Sequence, residues 1–204
     1  MKTLTEELTG ETIDSTLFFQ LLNIARVKRE MLRPWQVLIK EDATKTTASG
    51  DTFETSKALP TDFSRIMPWT KTRPQMVLVS GDDELDYRQI AFGLRFMKRN
   101  VAGFFVIDLQ NDLFFLTGSQ STAYTIHLFY LFNQADITTS SQNWLFPDEF
   151  HPLLPFDVAR TYKGGIDYDD INARMVRQHN VDIEDIESAM NLWDSQLSLS
   201  SLGT

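Results

Sequence analysis

The chain has 204 residues, 42% of them hydrophobic and 15 of them Phe, which is enough apolar material for one sizeable core. It contains no Cys, which excludes a disulfide framework and thiolate chemistry and fits assembly in a reducing cytoplasm. The formal net charge of −9 argues against binding by phosphate neutralisation; the acidity reads first as a device for solubility, and second as a surface that could surround DNA without sticking to it.

No apolar run is long enough to cross a bilayer, and the opening Met1-Lys2-Thr3-Leu4-Thr5-Glu6-Glu7 lacks the apolar segment of a signal peptide. The first clear periodicity spans Ile13 to Leu32, with Ile13, Leu17, Leu21, Ile24, Ala25 and Met31 near a 3.6-residue repeat. It predicts a helix capped by Thr12 or Asp14 and stopped by Pro34. Arg26, Lys28, Arg29 and Arg33 in its second half suit the helix dipole, and read either as a solvated face or as a partner surface. Trp35 to Ile39 reads as a strand or a last helical turn. Glu41 to Lys57, rich in Thr, Ser, Asp and Lys, reads as a long loop or extended arm.

Pro60 fixes the backbone of Leu59-Pro60-Thr61-Asp62-Phe63, after which Ser64 to Trp69 and Met76 to Ser80 read as short strands. The turn Gly81-Asp82-Asp83-Glu84 opens a run of four carboxylates ending at Asp86, but their spacing matches no calcium loop. Residues from Tyr87 to Arg99 interleave basic and aromatic side chains; a short helix is expected over Ala91 to Arg99, and single-strand nucleic-acid binding is the sharper alternative. Gly103 to Phe132 then carries three aromatic and aliphatic runs separated by turn residues, the signature of a β-meander. Its last run places Ile126, Leu128, Tyr130 and Phe132 on one face and His127, Phe129 and Leu131 on the other, predicting a strand covered on both sides.

Pro147-Asp148-Glu149 is a helix-start signal, with Pro152 and Pro155 delaying the regular part and Gly164-Gly165 ending it. Asp167, Asp169 and Asp170 open a last helical region. In it Ile183, Ile186, Met190, Trp193 and Leu197 alternate by three and four, a heptad seam that wants a partner helix from the same chain or from a neighbouring subunit. Residues 198–204, with Leu199 and Leu202 among Ser and Gly, read as a frayed terminus or a docking arm.

Chemistry is thin in this sequence. His127, His151 and His179 lack zinc spacing; His151 near Asp148 and Glu149 is the best of the weak metal candidates. No nucleophile elbow, phosphate loop or dinucleotide fingerprint is present. Carboxylate pairs could serve glycosidic acid–base work, but the sequence does not say which would converge; Asp108 and Asp112, flanking a hairpin turn, are the pair a hydrolase reading would use.

The order of features carries more than any single motif. Leu22-Asn23-Ile24-Ala25 on the first helix is followed by Arg33-Pro34-Trp35-Gln36-Val37-Leu38, a Thr-rich loop, and Leu59-Pro60-Thr61-Asp62-Phe63-Ser64-Arg65-Ile66. Then come Phe105-Val106-Ile107-Asp108, Leu116-Thr117-Gly118, Thr125-Ile126-His127-Leu128-Phe129-Tyr130, Asp136-Ile137-Thr138, Phe156-Asp157-Val158-Ala159 and Leu192-Trp193-Asp194-Ser195. Over nearly its whole length the chain resembles the head-to-tail adaptor (connector, head completion) proteins of tailed bacteriophages, especially the branch that includes tail tubular protein A. Pro152 and Pro155 depart from the family pattern, and the terminal arm is short.

The resemblance implies a structural virion protein of the neck, assembled in the host cytoplasm, with no enzymatic activity, cofactor or metal. Its expected partners are the portal, a stopper or tail protein, and copies of itself in a dodecameric ring around DNA read without sequence preference; no membrane is involved. A stopper or tail terminator, or a tail-associated cell-wall hydrolase, are the alternatives. The expected fold is α+β: one domain over residues 1–204, with terminal helices (1–40 and 146–197) bundled against an antiparallel β-meander or sandwich (59–137) and an arm at 198–204. Ile183, Ile186, Met190, Trp193, Leu197, Leu199 and Leu202 are the expected interface residues.

Overall fold

The computed structural model describes residues 1–70, 73–164, 168–179 and 182–200. The chain divides into two compact units, Met1–Val37 with Gln134–Thr204, and Leu38–Asn133. The described residues form helices α1 (Lys2–Thr9), α2 (Ser15–Met31), α3 (Leu153–Tyr162), α4 (Tyr168–His179) and α5 (Ile183–Ser200). The strands are β1 (Ile39–Thr46), β2 (Ser56–Ala58), β3 (Phe63–Ile66), β4 (Met76–Ser80), β5 (Asp83–Gln89), β6 (Phe104–Asp108), β7 (Leu113–Leu116) and β8 (Thr125–Phe132).

The expected antiparallel meander or sandwich under a helical bundle is not what forms. The strands make one mixed sheet, ordered β1-β8-β4-β5-β6-β7-β2 with β3 also on β8, curled into a nearly closed barrel. The mixture arises at β5, which pairs parallel with β6. A parallel neighbour needs a crossover rather than a tight turn, and residues 90–103 supply it. The meander also breaks after β7: β6 and β7 form the expected hairpin, but β8 leaves them and pairs with β1, β3 and β4.

Period-2 alternation turns one side of each strand inward. Met76 and Leu78 of β4, Tyr87 of β5, Phe105 of β6, Phe114 and Leu116 of β7, and Ile126, Leu128 and Tyr130 of β8 make the barrel core. The buried Tyr87 hydroxyl accepts a hydrogen bond from Gln120 Nε2 at 3.0 Å, which satisfies its polar end. The other face of β8 is half-buried at His127 and Phe129 rather than fully covered.

The expected helix over Ala91–Arg99 reduces to a single 3-10 turn at Phe92–Leu94. Its apolar residues follow no helical period, and Gly93 weakens any helix there. Tertiary anchors shape the segment instead: Arg95 donates to the Phe53 carbonyl and lies 3.6 Å from the Phe115 ring centre, and Gly118 N–H donates to the Arg99 carbonyl. Gly118 sits at φ 78°, and a Cβ there would lie 3.0 Å from the Ala102 backbone nitrogen. Gly118→Ala therefore meets both left-handed strain and a backbone clash, and is expected to cost at least ~1–2 kcal/mol in equilibrium unfolding.

The helical unit is organised around α3. Leu153, Leu154, Phe156, Val158 and Ala159 of α3 are buried, and α1, α2, α4 and α5 all pack on it. The two helices expected to form the bundle, α2 and α5, each pack on this short helix between them. Pro147 precedes a 3-10 turn at Asp148–Phe150, and α3 becomes regular only after Pro152; Pro155, expected to delay it too, instead lies in its first turn, where the missing N–H has no intrahelical partner to lose. Asp14 caps α2, its carboxylate accepting from Thr16 N–H at 2.9 Å and Leu17 N–H at 3.2 Å. Lys2–Thr9, not foreseen as a helix, ends at Gly10 (φ 70°), and Glu6 accepts from Ile13 N–H at 2.9 Å to set the turn into α2.

Candidate interaction surfaces

Of the basic residues on α2, Lys28 is exposed beside the groove, whereas Arg26, Arg29 and Arg33 are neither a solvated face nor a free partner surface. Arg26, Arg29 and Arg33 recur at steps of three and four, so they form one row along the helix. Arg26 is 2% exposed. Its Nη1 donates to both Glu30 oxygens at 3.0 and 2.9 Å, and its Nη2 to Asp136 at 3.0 Å. Glu30 also accepts from Trp144 Nε1 at 3.1 Å. Burial pushes the Glu30 carboxyl above its ordinary value, against the pull of Arg26 and Trp144.

Arg29 forms a two-pronged pair with Asp157 of α3 and reaches Glu187 of α5 at 2.6 Å. Burial likewise pushes Asp157 up, opposed by Arg29. Arg33 pairs with Asp194 and donates to Asn191 at 2.9 Å, and Asp194 accepts from Gln36 N–H at 2.6 Å. Trp35 locks the row by donating its indole N–H to the Arg29 carbonyl at 2.9 Å. Asn23 adds a double clasp on Ile137, accepting from its N–H and donating to its carbonyl, both at 2.9 Å. This row fixes α2 against α3, α5 and residues 134–146; it is a positioning device.

The opposite side of α2 is apolar and open. Leu17, Ile24, Val27 and Met31 are all exposed, Met31 at 60%. They recur near a heptad spacing, a ridge suited to another helix. Phe19, Ile24, Val27 and Ile137 line a broad groove of about 1000 Å³ along the same side.

The expected seam on α5 is taken up within the helical unit for much of its length. Ile183 and Met190 are buried, while Ile186, Trp193 and Leu197 are half-buried. The Trp193 ring centre lies 6.0 Å from Phe146 and 5.6 Å from Phe150. The Leu199 backbone belongs to α5, but its side chain, and the whole of Leu202, lie outside the described residues, as do Gly165, Asp167 and the arm beyond Ser200.

In the barrel unit, the Leu59–Phe63 motif is a clasp. Asp62 accepts from Tyr130 Oη at 2.8 Å and Lys40 Nζ at 2.7 Å, and its carbonyl accepts from Asn133 N–H at 2.8 Å. Phe63 stacks on Tyr130 with ring centres 5.7 Å apart. Burial disfavours the Asp62 charge, but the Lys40 and Tyr130 hydrogen bonds outweigh it and hold the carboxyl below its ordinary 3.8. The same pairing, with burial leading, raises the Tyr130 hydroxyl. A depressed carboxyl contributes stability that is in place above its ordinary value and lost as the pH falls through its folded value. Asp62→Asn should therefore cost about 1 kcal/mol at neutral pH and flatten the acid limb of the barrel's unfolding curve below about pH 4.

The residues considered for chemistry occupy other roles. His127 Nδ1 meets Glu41, and His151 Nε2 donates to the Phe146 carbonyl at 2.8 Å with Nδ1 3.4 Å from Asp148. The side chain of His179 lies outside the described residues. Asp108 caps the β6–β7 turn, accepting from Gln110 and Asn111 N–H, and Asp112 holds the turn's left-handed position at φ 53°. Among the described residues no group of three or more His, Cys, Asp or Glu is placed to hold a metal ion, and no helix is long and apolar enough to cross a membrane. Comparison with known proteins adds no relative: no protein-family model matches the chain, and no curated protein does.

Proposed function

We propose that this chain is a structural subunit of the neck of a tailed bacteriophage, a ring-forming head-to-tail adaptor that binds the portal and extends the DNA channel toward the tail. The observation that carries this reading is the apolar ridge of α2, with Leu17, Ile24, Val27 and Met31 exposed on a helix whose other side is fixed by buried ion pairs. A helix held that firmly and left apolar outward is suited to side-by-side packing with a copy of itself. The order of the motifs from Leu22 to Ser195 supports the adaptor assignment, and the net charge of −9 suits a channel wall past which DNA moves without readout. On this reading the subunit needs no cofactor or metal, and twelve copies form the ring.

Electron microscopy of particles assembled with and without the protein tests the assignment. The expected result is a ring of density directly beneath the portal that is lost when the protein is omitted. Density further down the neck or at the tail end would assign it instead as a stopper or tail terminator.

A further inference from the structure

The two ends of β5 carry opposite surfaces. At its start, Asp82, Asp83, Glu84 and Asp86 are exposed around Leu85, which is itself 39% exposed. None of these four acids forms an ion pair among the described residues. From Tyr87 in its second half onward, the stretch as far as Ile107 holds Arg88, Arg95, Lys98 and Arg99 and no acid at all, within a chain of net charge −9. Arg95 is used inward on Phe53 and Phe115, and Arg88 lies 3.7 Å from the Trp69 ring centre. Lys98 and Arg99 face outward without a carboxylate partner among the described residues.

The apolar residues of this loop are outward too. Phe96 is 62% and Met97 77% exposed, with Phe92, Leu94 and Val101 beside them. Their exposure is built into the loop, because its backbone is pinned. Thr117 Oγ1 donates to the Val101 carbonyl, Gly118 N–H to the Arg99 carbonyl, and Lys98 N–H to the Leu94 carbonyl. A loop held in shape with its apolar side chains outward is a contact surface rather than a failed core.

We propose that the barrel units of two copies of this chain bind each other head to tail, the loop 90–102 of one copy seated on the acidic turn 81–86 of the next. Lys98 and Arg99 meet the Asp83–Asp86 carboxylates, and Phe96 and Met97 cover Leu85. Within one copy only Tyr87, Arg88 and Gln89 lie between Asp86 and the loop, yet no ion pair joins Lys98 or Arg99 to the four acids among the described residues, which leaves both surfaces open to a neighbour. The contact is heterologous, and repeated it yields a ring if the rotation closes and a filament if it does not. A polyanion is the weaker occupant for this loop: the charge of the whole chain repels phosphates, whereas the acidic turn offers matched charge and an apolar spot together. The contact adds a second surface to the self-association proposed for α2 and is separable from the neck assignment.

Sedimentation velocity on the full chain tests it with two charge reversals, K98E/R99E and D83K/E84K, each checked for native circular dichroism. The wild type should associate, with an association constant falling at least about tenfold between low salt and about 1 M salt. Each variant alone should lose association by a similar factor, since like charges then face each other. An equal mixture of the two should recover it, because each loop then finds a turn of opposite sign. Association that ignores both salt and the two reversals overturns the proposal. So does a monomer that binds phosphatidylserine vesicles or oligothymidylate through Lys98 and Arg99. If the reversals leave self-association intact while rings still form on the portal, this contact is wrong and the neck assignment stands; if the contact behaves as stated but no portal is bound, the reverse holds.

Discussion

Replacing Arg26 by Met is expected to destabilise the helical unit by about 3–5 kcal/mol, read as a lowered urea midpoint with an unchanged m-value. Arg26 is almost wholly buried and carries two bonds to Glu30 and one to Asp136. Removing it strips the buried Glu30 carboxylate of both guanidinium bonds and of its neutralising cation, while the bond from the Trp144 indole remains. The cost is that of an uncompensated charge, not of a lost surface bridge. The double change R26M/E30Q keeps an acceptor for Trp144 and removes both charges. It should therefore recover much of the loss, and a double-mutant cycle that finds the two changes simply additive would show the pair to be uncoupled. Glu30 sharpens the expectation, because burial already pushes its carboxyl up. A raised carboxyl contributes stability that is present at low pH and lost as the pH rises through its folded value. The R26M deficit should accordingly shrink as the pH is lowered and Glu30 takes up its proton.

The second large effect is expected at Phe156. It is fully buried at the centre of α3, the helix against which α1, α2, α4 and α5 pack. Phe156→Ala removes an aromatic ring from a close-packed site and should cost about 3–5 kcal/mol. Phe156→Leu, which keeps most of the volume, should cost much less. Equal losses from the two would mean that the site collapses freely and that α3 is not the hub described above.

What the sequence disclosed depended on how local the cause was. The start of α2 was readable because Asp14 caps it two and three residues ahead, and its end because Pro34 follows. β4 and the runs of β6, β7 and β8 were readable from aromatic and branched residues between turn signals. α1 was not, because its buried positions include Thr5 and Thr9, which carry no apolar signal. β5 was hidden by its acids, since only Tyr87 among its residues faces the core. The mixed barrel could not be anticipated: β5 meets β6 in parallel through a crossover with no regular helix, and β8 chooses β1, β3 and β4 over its hairpin neighbour β7. The arginine row misled for the same reason. Its helical spacing is local, but three of its partners sit at positions 136, 157 and 187, more than a hundred residues away. The seam on α5 illustrates the converse. Its heptad spacing was legible, yet spacing does not say that Trp193 faces Phe146 and Phe150 of its own unit. The exposed ridge of α2 lay in plain view as an apolar repeat, but only the burial of the arginine row shows which side of that helix turns outward.

On the proposed function, this chain is a subunit gripped by copies of itself and by a portal. Mass determination of the purified protein mixed with the proposed portal partner tests it most directly. A discrete complex containing a ring of this chain on each portal, weakened when Ile24 and Val27 of the α2 ridge are replaced by Asp, is the predicted result. A chain that remains monomeric both alone and in the presence of the portal would contradict it.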